Sequence, residues 1–98
     1  MRIIGGKLKG KKIFHVNNLI TRPLRDFVKE NVFNIIDHSK LIDIKIKNSS
    51  VLDLYSGIGS FGLECISREA NNVTFVEKDK NALMYLNKNI EELLIKKK

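Results

Sequence analysis

A single cysteine, Cys65, excludes an internal disulfide and a Cys-rich zinc site. The two histidines, His15 and His38, lie far apart and add no metal constellation. No apolar run approaches the roughly 18 residues that a membrane span needs. Met1-Arg2-Ile3-Ile4-Gly5-Gly6 is too short and too soon charged for a signal peptide. With 43% hydrophobic and 30% charged residues, wholesale disorder is excluded as well. At 98 residues the chain supports one domain at most and a small core. These bounds describe a soluble, basic α/β protein of a reducing compartment, the cytoplasm, with no membrane partner.

What is present in excess is positive charge, and it is localised. Residues 1–49 carry 11 Lys+Arg and 4 Asp+Glu, whereas residues 50–98 carry 7 of each, so the net charge of +7 lies wholly in the first half. Arg2, Lys7, Lys9, Lys11 and Lys12 fall within the first twelve residues. A basic segment beside a neutral one suits contact with a polyanion, RNA or DNA. The competing reading is a solvated face in a lysine-rich proteome. Lys, Ile and Asn supply 37 of 98 residues, and their AT-rich codons account for part of the lysine excess.

Along the chain, Arg2–Gly6 and Gly10–Val16 read as two short strands around a glycine-containing turn. Asn17–Ile20 is a connector, and the basic hairpin and connector together make a first segment, 1–20. Thr21-Arg22-Pro23 starts a helix, with the proline where a missing N–H costs nothing. Leu24, Phe27, Val28, Val32, Ile35 and Ile36 recur at three-and-four spacing as its apolar face, to about Asp37. Residues 41–50 are ambiguous, because Ile42, Ile44 and Ile46 alternate with charges in a stretch that also reads as a ragged helix end. Ser50–Leu54 has a buried-strand pattern, Tyr55–Gly59 a glycine-rich turn, and Ser60–Ala70 a helical one. Val73–Val76 is a second strand ending at Glu77. Asp79 caps a last helix whose stripe is Leu83, Leu86, Ile90, Leu93 and Leu94. Residues 50–95 thus read β-α-β-α, the start of a doubly wound sheet with a right-handed crossover, within a unit covering 21–98.

Gly57-Ile58-Gly59-Ser60-Phe61-Gly62 matches G-x-G-x-x-G between a strand and a helix, the context in which that pattern carries meaning. Glu77 follows Gly57 by 20 residues, at the end of the next strand, where an acid accepts hydrogen bonds from a ribose diol. Two ligands fit, a dinucleotide such as NAD or S-adenosylmethionine. Asp53 favours the second. Its carboxylate, four residues before Gly57, sits near the mouth of the turn, where a pyrophosphate would meet a like charge at a cost on the order of 4 kcal/mol at 4 Å and an effective dielectric of 20. The sulfonium and ammonium of S-adenosylmethionine are attracted by the same carboxylate. Tyr55 and Ser56 also intervene between strand and first glycine, unlike a usual dinucleotide turn. The structural alternatives are a helix-capping or loop-bracing role for Asp53 and a solvated strand end for Glu77. Cys65 reads as core.

The segment Val51–Glu64 resembles the first motif of class I methyltransferases, in the form found in RsmD-type small-subunit ribosomal RNA guanine-N2 methyltransferases. Arg2–Lys7 with Gly10-Lys11-Lys12, Thr21-Arg22-Pro23 leading to Val28, Glu30 and Phe33-Asn34-Ile35, and Phe75–Asp79 resemble the same family in matching order. The family usually has Thr after that proline and a basic residue four places on, where Leu24 and Phe27 stand here. The resemblance implies a Rossmann-like class I methyltransferase fold and S-adenosylmethionine as cofactor. It implies Asp53, Gly57 and Gly59 at the methionine end, Glu77 on the ribose and Lys78 beside the adenine, with Tyr55, Ser56 and Arg22 also among the cofactor-binding residues. The helix carrying Arg22 would cover the pocket. Arg2, Lys7, Lys9, Lys11 and Lys12 would face ribosomal RNA or the small subunit.

Family members are about twice as long, and their Asp/Asn-Pro-Pro-aromatic turn grips the amine to be methylated. Pro23 is the one proline of these 98 residues, so no such turn is among them. The expectation is therefore an incomplete fold, the cofactor-binding N-terminal part of an enzyme, from a truncated gene or partial sequence and inactive alone. Its open sheet edge at Val51–Leu54 is expected to weaken the fold and favour self-association. The alternatives are a non-catalytic RNA-binding module and, less in keeping with Asp53, part of a dinucleotide-binding oxidoreductase.

Overall fold

The computed structural model describes residues 1–14 and 22–95. His15, Val16, the connector Asn17–Ile20, Thr21 and the terminal Lys96-Lys97-Lys98 lie outside the described residues, as do the side chains of Arg22, Pro23, Leu24, Arg25 and Ile95. Among the described residues, three helices and two strands follow the N-terminal segment: α1 (Arg22–His38), β1 (Ser50–Leu54), α2 (Ser60–Ser67), β2 (Asn72–Val76) and α3 (Lys80–Ile90), the last continued by a π-helical turn over Glu91–Ile95. The strands pair in parallel, Ser50 opposite Asn72 and Leu54 opposite Val76. The β-α-β-α order predicted for residues 50–95 is what forms.

Local chemistry sets the boundaries. Asp79 caps α3 by accepting the Ala82 N–H at 2.9 Å. The chain ends α2 early, at Arg68, and turns through Glu69 at φ 73°. Between α1 and β1 the alternating isoleucines form no strand. Ile46 alone of that stretch is buried, beside Phe33 and Cys65.

Two expectations are corrected. Among the described residues the two N-terminal arms pair antiparallel around the glycine turn as expected, but through a single bridge, Arg2 to Lys12, too short to count as two strands. The arms pair through Ile3 N–H to the Lys11 carbonyl, Gly10 N–H to the Ile3 carbonyl and Ile13 N–H to the Met1 carbonyl. Beyond Ile3 the chain enters the turn over residues 6–10, while the outward N–H of Ile4 and that of Gly5 donate to the Glu64 carboxylate, both at 2.9 Å. The segment is nevertheless built into the protein. Ile3, Leu8 and Ile13 are buried in one cluster with Leu63 and Leu93, each contributing about 1.5–3 kcal/mol by leaving water. The second correction concerns α1. Of the expected face, Phe27, Val28, Val32 and Ile35 stay substantially exposed and Ile36 packs as expected, and among the described side chains it is joined in the packing by Lys29 and Phe33. Phe33 stacks on Phe61 at 5.0 Å between ring centroids and lies under the Arg68 guanidinium at 4.5 Å. Specific aromatic and ionic partners outcompete the more numerous aliphatics for the packed face.

The N-terminal segment, α1 and α2 pack on the side of the sheet that presents Val51, Asp53, Val73 and Phe75. The alternate positions, Leu52, Leu54 and Val76, are 60%, 57% and 46% exposed. Parallel strands normally have both faces covered, so this bare face is unusual. Among the described residues no helix is long and apolar enough to cross a membrane.

Candidate functional site

The parallel register puts the end of β1 beside the end of β2, and the turn after β1 is fastened there. The Ser56 N–H donates to the Val76 carbonyl at 3.0 Å, and the Gly57 N–H donates to Glu77 Oε1 at 2.8 Å. Tyr55, Gly57 and Gly59 all adopt positive φ, at 54°, 59° and 93°. A Cβ at Gly57 would meet open space, whereas at Gly59 it would lie 2.4 Å from Leu86. Gly57 therefore faces room for a ligand, and Gly59 lets α3 pack closely against the turn.

Asp53 stands behind the turn, nearly buried. One carboxylate oxygen accepts the Gly62 N–H at 3.0 Å, in the first turn of α2. The bracing role considered from sequence is thus real, but it occupies one oxygen only. Burial pushes the Asp53 carboxyl above its ordinary value, opposed by the Gly62 N–H. Among the described residues no cation pairs with it. Glu77 is the opposite case. The N–H groups of Asp79, Gly57 and Lys78 hold its carboxyl below the usual range. Glu77 Oε2 takes Asp79 and Lys78, and Oε1 takes only Gly57, so Oε1 retains acceptor capacity.

Two depressions adjoin the turn. A cavity of about 630 Å³ is lined by Asp53, Tyr55, Ser56, Gly57 and Ile58, by Val28, Lys29 and Val32 of α1, by Ser60 and Phe61 of α2, and by Met1. A groove of about 480 Å³ is lined by Tyr55, Glu77, Lys78, Asp79, Lys80 and Asn81. Tyr55, 87% exposed, belongs to both. Of the residues proposed from sequence, Asp53, Ser56 and Gly57 thus share the cavity with Tyr55, and Glu77 and Lys78 share the groove. Gly59 lines neither. The apolar side of α1 walls the cavity through Val28 and Val32.

Sequence reasoning missed the buried polar residues behind this site. Glu64 is fully buried and accepts from Ile4, Gly5 and, at 2.8 Å, the Arg68 guanidinium, with the Lys29 ammonium 3.3 Å away. Burial opposes its ionisation, but those donors prevail and hold its carboxyl below the usual range. Burial in turn lowers Lys29, with Glu64 opposing. Asn89 is fully buried, accepting the Phe14 N–H at 2.7 Å and donating to the carbonyls of Phe14 and Ile58 at 3.0 Å each. A charged residue between Leu63 and Cys65, inside an apolar helix, was the available signal for Glu64. The Cys65 thiol is pushed to about 12 by burial, with Asp53 and Glu64 nearby, consistent with a core role.

Arg2, Lys7, Lys9, Lys11 and Lys12 are all exposed. Lys7 lies 3.5 Å from Glu69, a solvent-screened contact worth little. Arg2 borders a small groove with Asp26, Phe27 and Glu30. Among the described residues, Lys9, Lys11 and Lys12 form no ion pair.

The family described as conserved hypothetical protein 95 matches over residues 1–98. Ribosomal RNA small subunit methyltransferase D of Haemophilus influenzae is 40% identical over 93 residues, covering 95% of this chain and 45% of that protein. Its namesake from Buchnera aphidicola of Acyrthosiphon pisum is 42% identical over 93 residues, 95% of this chain and 46% of that one. A solved Escherichia coli structure described as a methyltransferase superimposes with a TM-score of 0.74 at 32% identity, over 95% of this chain and 46% of that one. The chain spans about half the length of the curated relatives it matches.

Proposed function

The chain belongs to the conserved hypothetical protein 95 family, that of the RsmD-type small-subunit ribosomal RNA methyltransferases, and on that premise we propose that it is the cofactor-binding N-terminal part of an S-adenosylmethionine-dependent methyltransferase acting on guanine N2 of ribosomal RNA. Two acids flanking the glycine turn carry this reading. Asp53 is a nearly buried carboxylate with no cationic partner among the described residues, and Glu77 keeps an acceptor site at Oε1. A ligand with a cationic end and a diol satisfies both, and a pyrophosphate does not.

S-adenosylmethionine, when bound, supplies an electrophilic methyl group. The protein's own residues bind and orient. Asp53 attracts the ammonium, while Tyr55, Ser56 and Gly57 shape the wall. Glu77 accepts from the ribose and Lys78 borders the adenine. Gly59 acts through packing. The exposed Arg2, Lys7, Lys9, Lys11 and Lys12 neutralise RNA phosphates, a contact that weakens steeply with salt. An amine-orienting Asp/Asn-Pro-Pro-aromatic turn is not among residues 1–98, and the 98-residue chain by itself is proposed to be inactive.

Calorimetric titration tests the cofactor assignment. Saturable binding of S-adenosylmethionine is expected, with none of NAD and none in an Asp53→Ala, Glu77→Ala double variant. Preference for NAD overturns the reading. Failure of a folded chain to bind either ligand also overturns it. If RNA binding then depends on Lys9, Lys11 and Lys12, the non-catalytic RNA module takes its place.

A further inference from the structure

Lys29 is an unexpected neighbour for a cofactor with positive charge. Its side chain is only 7% exposed, yet it lies in the wall of the 630 Å³ cavity that also contains Asp53. Its ammonium is fully engaged. It donates to the Arg2 carbonyl at 2.8 Å and to Ser60 Oγ at 3.0 Å, and Glu64 Oε1 lies 3.3 Å away. Three acceptors match its three protons, so Lys29 has no donor left for a ligand.

Ser60 does. Its oxygen receives the Lys29 proton, which confines its own hydroxyl proton to the remaining directions. Among the described residues Ser60 makes no other side-chain hydrogen bond, and it lines the cavity. A hydroxyl polarised by a buried ammonium is a donor preset for an anion. The cavity therefore has two polar groups of opposite demand, the Asp53 carboxylate for a cation and the Ser60 hydroxyl for an anion. An amino-acid terminus bears both charges on one carbon.

We propose that Ser60 donates to the carboxylate of the cofactor's amino-acid end, and that Lys29 is a positioning residue acting through it. This rests on the cofactor reading above and adds a specificity to it: the site selects the zwitterion, not the sulfonium alone. Because Lys29 also holds the Arg2 carbonyl, the donor is anchored to the basic segment.

The test compares S-adenosylmethionine with its decarboxylated form, which keeps the sulfonium and the amine, by titration of the full chain. The wild type is expected to bind the carboxylate-bearing form at least about tenfold more tightly, the effect of one hydrogen bond to a charged group. Ser60→Ala should collapse that ratio by weakening only the carboxylate-bearing form, and Ser60→Thr, which retains a hydroxyl, should restore it. Circular dichroism checks that each variant is folded. Equal affinity of the wild type for the two ligands overturns the inference and leaves the cofactor reading standing. So does an equal loss for both ligands in Ser60→Ala. No binding of either ligand to the folded wild type overturns both.

Discussion

Replacing Glu64 with Gln should remove a large part of this protein's stability. The carboxylate accepts on both oxygens: Ile4 N–H and Lys29 on Oε1, Gly5 N–H and Arg68 Nε on Oε2. Gln keeps an acceptor for one pair and turns an NH2 toward two donors of the other. Losing the Arg68 bond costs about 1.5–3 kcal/mol and stranding the Gly5 N–H about 1–3 kcal/mol. The Lys29 charge is also left without its carboxylate, and breaking a buried ion pair costs about 3–5 kcal/mol in all. A domain of this size is stable by about 5–15 kcal/mol, so the variant approaches unfolding. Urea denaturation at pH 7, followed by circular dichroism, should show a lower midpoint with an unchanged slope. The effect should depend on pH. Glu64 is held below its unfolded value, so the unfolded chain takes up the proton first as the solution is acidified. Its contribution is present in full above the ordinary Glu value, about 4.5, and is lost as pH falls through the lower folded value. Wild type and variant should therefore converge in acid. A loss below about 1 kcal/mol at neutral pH, or a difference that grows in acid, refutes the reasoning.

Two further outcomes follow from the packing. Gly6→Ala should destabilise by more than about 3 kcal/mol, seen as a thermal shift, because φ is +77° and the new Cβ would lie 2.1 Å from the Ser67 backbone oxygen. An unshifted melt would mean that the turn does not dock on α2 as described. Self-association through the open edge of β1 should appear in sedimentation velocity, and Leu52→Lys, a charge at a 60% exposed position of that strand, should abolish it without changing the circular dichroism spectrum. Concentration-independent monomer in the wild type would show that this edge needs no partner.

Local order was legible because its causes are local. Asp79 at a cap, the three-and-four spacing of α3 and the strand-turn-helix around Gly57 depend on neighbours a few residues away. The buried face of α1 was not legible in this way. Its aliphatic stripe outnumbers its packed residues, and Phe33 gains its place only through Phe61 and Arg68, far along the chain. The strand expectation at the N-terminus failed for the same reason. Glycines and alternation permit a hairpin, and the arms do pair through Ile3, but what the outward N–H groups of Ile4 and Gly5 meet is Glu64, some 60 residues away.

The sequence alone determined the family, the β-α-β-α order and the positions of Asp53, Gly57 and Glu77, since motif spacing and helix periodicity are one-dimensional quantities. Only the tertiary structure decided how the basic segment is held to the cavity. Lys29 joins Arg2 to Ser60, Asn89 joins Phe14 to Ile58, and Ser67 receives Leu8. A buried polar group must find partners wherever the fold brings them, and no local spacing records which partners those are.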